Sequence, residues 1–339
     1  MMKCITVTLN PALDMNIALA APLLPVGLNR SESASFSPGG KGINVSRALH
    51  ALGSESEAIC ILGGFTGAKI KSMLSEEGVS VRAIATSADT RINISLIPPD
   101  GADNDAQCEI NNPPMRGRAQ KTEGEETPRT LPRVGAAGIR SAAETAELLS
   151  KTKLLLRRLI HRMEGERVVV VFAGSIPPDM PQNTYADLIG TARAMGAVTV
   201  CDCDGDALRH ALSAHPDYIK PNIDELSALT ERRLLKDQVA MAATEISVTT
   251  GGDTAVLATV GSGGAYLARG KDSFYAPAVH VDHVRTLKGA GDTFLAAFLY
   301  AIYEKNGRDT ESLSYAAHIA AQKITGKGLF APNRSLPQV

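Results

Sequence analysis

Seven apolar, β-branched runs punctuate the chain: "CITVTLN", "EAICILGG", "RVVVVFAGS", "AVTVCDCD", "DYIKPN", "EISVTTGG" and "TAVLATVGSGG". Several lack strict alternation, the pattern of strands buried on both faces. Between many of them lie segments with helical spacing, such as "GINVSRALHALG", "TGAKIKSMLSEEG", "TYADLIGTARAMG" and "FLAAFLYAIYEK", and glycines follow several of these where C-caps are expected. Alternating strands and helices predict an α/β fold on a mainly parallel sheet. Ligands of such sheets gather at the carboxyl ends of the strands, in the loops that lead into helices. Two stretches break the pattern. Residues 15–37 and about 90–110 read as extended and predict a small β lid beside the main sheet. Residues 111–137 are polar and rich in Pro and Gly, and are expected to form a mobile surface loop.

Composition excludes several classes. The 35 basic and 36 acidic residues leave a net charge of −1, so no overall field draws the chain to nucleic acid or an anionic membrane. No apolar run reaches the roughly 18 residues of a membrane span. The start "MMKCITVTLN" does not read as a signal peptide, and the odd count of five cysteines suits a reducing compartment. A cytoplasmic protein is expected. Cys201 and Cys203 alternate with Asp202 and Asp204, which a strand end explains better than a metal site.

Five motifs could carry chemistry. In "SPGGKGINVSRAL", Gly39, Gly40 and Gly42 allow close backbone approach, Lys41 adds charge, and a helix beginning near Gly42 would aim free N–H groups at the same spot. The spacing of a Walker A loop is absent. In "TLNPALD", Asn10-Pro11 marks a turn and Asp14 could accept sugar hydroxyls or serve as a turn residue. In "YIKPNIDEL", Asn222 and Glu225 share a face at i, i+3; they could organise a hydrated divalent cation or form a capping box. "TVGSGGAYL" reads as a hairpin or as a loop that lies against nucleotide phosphates. In "LKGAGDTFLAAFLYAI", Gly289, Ala290 and Gly291 lead to Asp292 at a helix start. The helix N-terminus could hold a phosphoryl group, and Asp292 could act as base or as cap.

In this order, with "TRINISL" and "AGSIPPDMP" between them, these motifs resemble the ribokinase-like, phosphofructokinase-B family of carbohydrate kinases over about residues 4–330. "TLNPALD" with "LNRSESASFSPGGKGINVSRAL" looks most like the branch of 1-phosphofructokinases and tagatose-6-phosphate kinases. The resemblance implies one kinase domain over 1–339, a three-layer α/β/α body with a β-sheet lid, and homodimers formed through the lids. It implies Asp292 as catalytic base, with Gly289, Ala290 and Gly291 as an anion hole. Asp14, Gly39, Gly40 and Asn44 match sugar-binding positions. Lys41, Arg91 and Arg30 match or lie near positions that hold the sugar's phosphate, and Ser175 falls near the substrate. Lys220, Asn222, Thr259, Gly261 and Gly264 match ATP-binding positions, and Glu225 matches the acid that organises Mg2+ through water. Lys288 departs from the family pattern, which has a small or apolar residue there; its side chain is expected to point to solvent. Thr259 stands where the branch commonly has Ser. The expected reaction is ATP-dependent phosphorylation of a ketohexose phosphate, fructose 1-phosphate first, then tagatose 6-phosphate or fructose 6-phosphate. A sugar-phosphate sensor without activity is the rival from another class, and the intact Asp292 with its glycines speaks against it.

Overall fold

The structure is a computed structural model that describes residues 2–24, 26–99, 108–111 and 141–326. The predicted loop at 111–137 lies, beyond its first residue, outside the described residues. In chain order the first half contains β1 (Met2–Thr8), β2 (Ala12–Leu19), β3 (Ser31–Gly39), α1 (Lys41–Ala51), β4 (Ser56–Gly63), α2 (Gly64–Glu76), β5 (Ser80–Thr86), β6 (Arg91–Ile97), β7 (Cys108–Asn111) and α3 (Ala142–Arg162). The second half contains β8 (Arg167–Ala173), α4 (Thr184–Arg193), β9 (Val198–Asp202), α5 (Gly205–Ser213), β10 (Tyr218–Ile219), α6 (Ile223–Thr230) and α7 (Val239–Thr249). It ends with β11 (Ala255–Thr259), β12 (Ala265–Arg269), β13 (Asp272–Ala276), α8 (Ala290–Leu299) and α9 (Asp309–Ile324).

Among the described residues, nine strands form the main sheet in the order β13-β12-β11-β10-β9-β8-β1-β4-β5. Pairing is parallel from β11 to β5 and antiparallel only at the β11–β12 and β12–β13 edge. The run "RVVVVFA" shows why the apolar strands lack alternation. Successive side chains of a strand point to opposite faces. Val168, Val170 and Phe172 therefore join one core with Leu156 of α3 and Tyr185 and Leu188 of α4. Val169, Val171 and Ala173 join a second core with Leu49 of α1, Leu295 and Leu299 of α8 and Ile319 of α9. Burying each Val or Phe stabilises by about 1.5–3 kcal/mol relative to leaving it exposed. Two apolar faces, each covered by helices, make the three-layer α/β/α body.

The extended stretches form a separate four-stranded sheet, β3-β2-β6-β7. β2 pairs antiparallel with β3 and parallel with β6, which puts Asp14 opposite both Ser37 and Asn93. β3 is exposed along Ser31–Phe36. One expected strand is corrected. "EISVTTGG" belongs to α7, where Val239, Ala242, Ala243 and Ile246 are buried at i, i+3, i+4 and i+7. The β-branched residues at the end of this helix imitate a strand, but the alanines before them complete a helical stripe. "DYIKPN" contributes only the two residues of β10, because Pro221 cannot donate to a ladder.

Candidate active site

The carboxyl ends of β9 and β10 and the first turns of α1, α6 and α8 bring five charged side chains together. Asp202, the last residue of β9, is fully buried. Its Oδ1 accepts from Lys41 Nζ at 2.9 Å, and Lys220 Nζ lies 3.1 Å from Oδ2. Burial alone would raise the Asp202 carboxyl, but Lys220 and Lys41 outweigh it and hold it below its ordinary value. Lys41 Nζ also donates to Glu225 Oε1 at 3.2 Å. The expectation for Lys41 was a place beside the sugar's phosphate; its ammonium is directed at these two carboxylates. Lys220 is 5% exposed, and its backbone N–H donates to Cys201 O at 2.9 Å, which fixes it directly after β10.

Asp292 stands in the first turn of α8 and is buried. Asn44 Nδ2 donates to its Oδ2 at 2.8 Å. Burial, and then the charge of Asp202, push its carboxyl up to about 6, against the opposing pull of Asn44, Lys220 and Lys41. Gly289 precedes the helix in the left-handed region at φ 74°, and Thr293 N–H donates to its carbonyl at 2.9 Å. Of the three residues expected to form the anion hole, Gly289, Ala290 and Gly291, one has its amide engaged within the turn. Ala290 N–H already donates to Leu287 O at 3.1 Å, so helix geometry leaves the amides of Gly291 and Asp292 as first-turn donors. A methyl at Gly291 would meet Lys220 Nζ at 3.6 Å, which puts that ammonium beside the same turn.

Capping and charge coincide at α6. Asn222 Oδ1 accepts from Glu225 N–H, and Glu225 Oε2 accepts from Asn222 N–H, both at 2.8 Å. The capping box is therefore realised, while the other Glu225 oxygen takes Lys41. Thr259 bridges to Asn222 and donates its N–H to Pro221 O at 3.0 Å. Gly261 and Gly264 lie in the β11–β12 hairpin at φ 54° and 85°; a side chain at Gly264 would come within 2.3 Å of Ala276 O.

A second network runs along the lid. Asn10 Nδ2 donates to Ser175 Oγ at 3.0 Å, and Arg91 Nη2 donates to Asn10 O at 3.2 Å. Arg91 Nη1 reaches Asn93 Oδ1 at 3.3 Å, and Asn93 Nδ2 donates to Asp14 Oδ1 at 2.9 Å. Arg91 Nε is buried without a hydrogen-bond partner among the described residues. Burial holds the Arg91 guanidinium below its ordinary value, with Asp14 opposing. Gly39 is required here, since a Cβ would lie 2.5 Å from the Asp14 carboxylate. Gly40, at φ 134°, would bring a Cβ to 2.8 Å from Thr8 Cγ2. Arg30 is exposed just before β3. Lys288 does not point to solvent as expected: its Nζ lies 3.0 Å from Asp14 Oδ2. Asp14 is a buried acid on a lid strand, and the tertiary fold sets it within reach of the turn before α8.

Residues 11–137 and 144–336 match the pfkB family carbohydrate kinase profile. The chain belongs to the pfkB family of carbohydrate kinases. As such it is a phosphotransferase, with ATP as phosphoryl donor and a sugar alcohol group as acceptor. It is 31% identical over 297 residues to a 1-phosphofructokinase of Bacillus subtilis, covering 88% of this chain and 84% of that one. It is 30% identical over 329 residues to a 1-phosphofructokinase of Haloferax volcanii, covering 97% and 93%. Among solved structures, the tetrameric inhibited form of phosphofructokinase-2 from Escherichia coli is similar at TM-score 0.78 and 27% identity, covering 96% of this chain and 95% of that one. No helix among the described residues is long and apolar enough to cross a membrane.

Asp202, Asn10, Asn93 and Lys323 were not singled out as site residues by sequence. Asp202 had a usable signal, an acid ending an apolar strand just before a helix. Asn93 lies two residues from Arg91, on the same face of β6. Lys323 of α9 had none. Its Cε lies 3.8 Å from where a Gly289 methyl would sit, and burial, then Arg47, hold its amine below the ordinary value, with Asp292 opposing.

Proposed function

We propose that the protein phosphorylates fructose 1-phosphate to fructose 1,6-bisphosphate at the expense of ATP. The observation that carries the chemistry is Asp292, buried at the N-terminus of α8, held by Asn44 and faced by Lys220 and Lys41. The choice of sugar is supported by the two curated relatives named 1-phosphofructokinase.

Asp292 orients the acceptor hydroxyl and takes its proton as the hydroxyl oxygen attacks the γ-phosphorus. The bond from the γ-phosphorus to its bridging oxygen breaks, and ADP leaves with that electron pair. The amides of Gly291 and Asp292, in the turn begun by Gly289 and Ala290, hold the phosphoryl oxygens, and Lys220 supplies positive charge beside them. Asp14, Gly39, Gly40 and Asn44 hold the sugar. Arg91 takes the sugar's phosphate with Ser175 beside it, and Arg30 extends that positive edge, while Lys41 stays paired with Asp202 and Glu225. The buried, unpartnered Nε of Arg91 is the kind of donor that an anion would satisfy. Lys220, Asn222, Thr259, Gly261 and Gly264 cradle the nucleotide.

Mg2+ fits the donors present. Both oxygens of Glu225 already accept one N–H each, yet a carboxylate has about four lone-pair sites. Two remain for water held by a cation that keeps most of its hydration shell. Bound there with the nucleotide, the ion would neutralise phosphate charge. The lid's exposed edge is the proposed contact of a homodimer.

The test is a panel of fructose 1-phosphate, tagatose 6-phosphate, fructose 6-phosphate and unphosphorylated fructose, read as kcat/KM from sugar-dependent ADP release. Fructose 1-phosphate is expected to lead by about tenfold or more. A lead for any other sugar overturns the choice of substrate. ATP and sugar binding without turnover of any overturns the catalytic reading.

A further inference from the structure

We propose that Lys288 is a specificity-determining contact: its ammonium, positioned by Asp14, donates a hydrogen bond to the sugar hydroxyl from which Asp14 accepts one. The inference rests on the reading of Asp14 as a sugar-binding residue.

Three observations carry it. Lys288 Nζ lies 3.0 Å from Asp14 Oδ2, with the lysine side chain 37% exposed and the aspartate 5%. The lysine is thus the more open member of the pair. Its ammonium has three N–H donors, and its link to Asp14 is an ion pair that leaves donors for a ligand. The other Asp14 oxygen is occupied by Asn93 at 2.9 Å, so the carboxylate faces its ligand with a fixed orientation. The backbone of Lys288 is fixed as well. Its N–H donates to Thr286 Oγ1 at 3.2 Å, and the next residue, Gly289, opens the helix that carries Asp292.

Lys288 therefore joins the two networks of the site. One runs from Ser175 through Asn10, Arg91 and Asn93 to Asp14. The other contains Asn44 and Asp292, and a methyl on Gly289 would lie 3.7 Å from Asn44 Nδ2. A ligand between the lid and α8 meets an acceptor and a donor side by side at this junction. A hydroxyl is the group that suits both, since it has one proton to give and lone pairs to receive. A phosphate suits the ammonium but is repelled by Asp14, so the contact is assigned to a hydroxyl that is not phosphorylated.

The experiment compares wild type, Lys288→Met and Lys288→Arg. It uses the ketohexose phosphate that wild type turns over best and its deoxy analogues at each hydroxyl other than the acceptor. Lys288→Met is expected to raise KM for the sugar about 10- to 100-fold, the range of a lost charge-assisted bond, with KM for ATP within about twofold. Lys288→Arg is expected to recover part of that loss. One deoxy analogue should cost wild type about tenfold or more beyond what it costs Lys288→Met, in which only the bond to Asp14 is left to lose. Circular dichroism and the thermal midpoint check that the variants fold; Lys288→Gln takes the place of the Met variant if that one does not. An unchanged KM for the sugar, or deoxy penalties as large in the variant as in wild type, overturns the proposal while the kinase reading stands. Failure of wild type on every ketohexose phosphate overturns that reading itself, and this inference with it.

Discussion

At the scale of the residue, Asp292 is the acid whose surroundings bear most directly on the reaction. Burial and the charge of Asp202 bring its carboxyl up to about 6, close to the working range of a base near neutrality. With the proton acceptor required in its ionised form, kcat/KM is expected to fall tenfold per pH unit below about 6; a flat profile down to pH 5 would remove Asp292 from the role. The same shift has a stability side. A carboxyl raised above its unfolded value of about 3.9 contributes stability that is complete below that pH and is lost as pH rises through about 6. At pH 8 the ionised Asp292 is therefore a cost. Asp292→Asn should unfold at higher denaturant than wild type at pH 8, by about 1–3 kcal/mol, and match it near pH 4, while turnover drops by several orders of magnitude. Lower stability of the variant at pH 8 would contradict the assigned burial cost.

At the scale of the element, the first turn of α8 combines two demands that a substitution can separate. Gly291 has room for a methyl, whose nearest neighbour would be Lys220 Nζ at 3.6 Å. Alanine also suits a helix better than glycine by about 0.5–1 kcal/mol. Gly291→Ala is expected to keep or raise the thermal midpoint and to lower kcat about 10- to 100-fold, because the methyl occupies the approach of the phosphoryl group. Unchanged kcat in a folded variant would move that approach elsewhere. Helix α6 makes the same point without a mutation. Its capping box satisfies the helix end, and the same Glu225 faces Lys41, so structure and charge placement share one residue.

At the scale of the whole molecule, the lid leaves β3 exposed, with Phe36 at 43% and Leu23, Leu24 and Leu28 exposed nearby. Such a patch on a sheet edge suits a second copy of the chain. Sedimentation velocity should find an assembly at micromolar concentration, and Phe36→Asp should shift it toward monomer without loss of secondary structure. An unshifted assembly would place the contact elsewhere on the surface. Much of this architecture was legible in the sequence. The both-faced apolar runs marked the parallel strands, and the glycines before Asp292 marked the α8 turn, because burial and backbone sterics act locally and leave their period in the chain. Periodicity failed at "EISVTTGG", where β-branched residues end a helix. Charge partners were not legible at all. Asp202 meets Lys41 across 161 residues of chain, and Asp14 meets a lysine that the sequence reading sent to solvent. The sequence by itself determined most of the parallel strands and which motifs could carry chemistry, since these follow from short-range pattern. Only the tertiary structure decided which acid faces which lysine, and so where the buried charges balance. Electrostatic pairing depends on distance in space, and the chain encodes that distance only through the packing of the whole sheet.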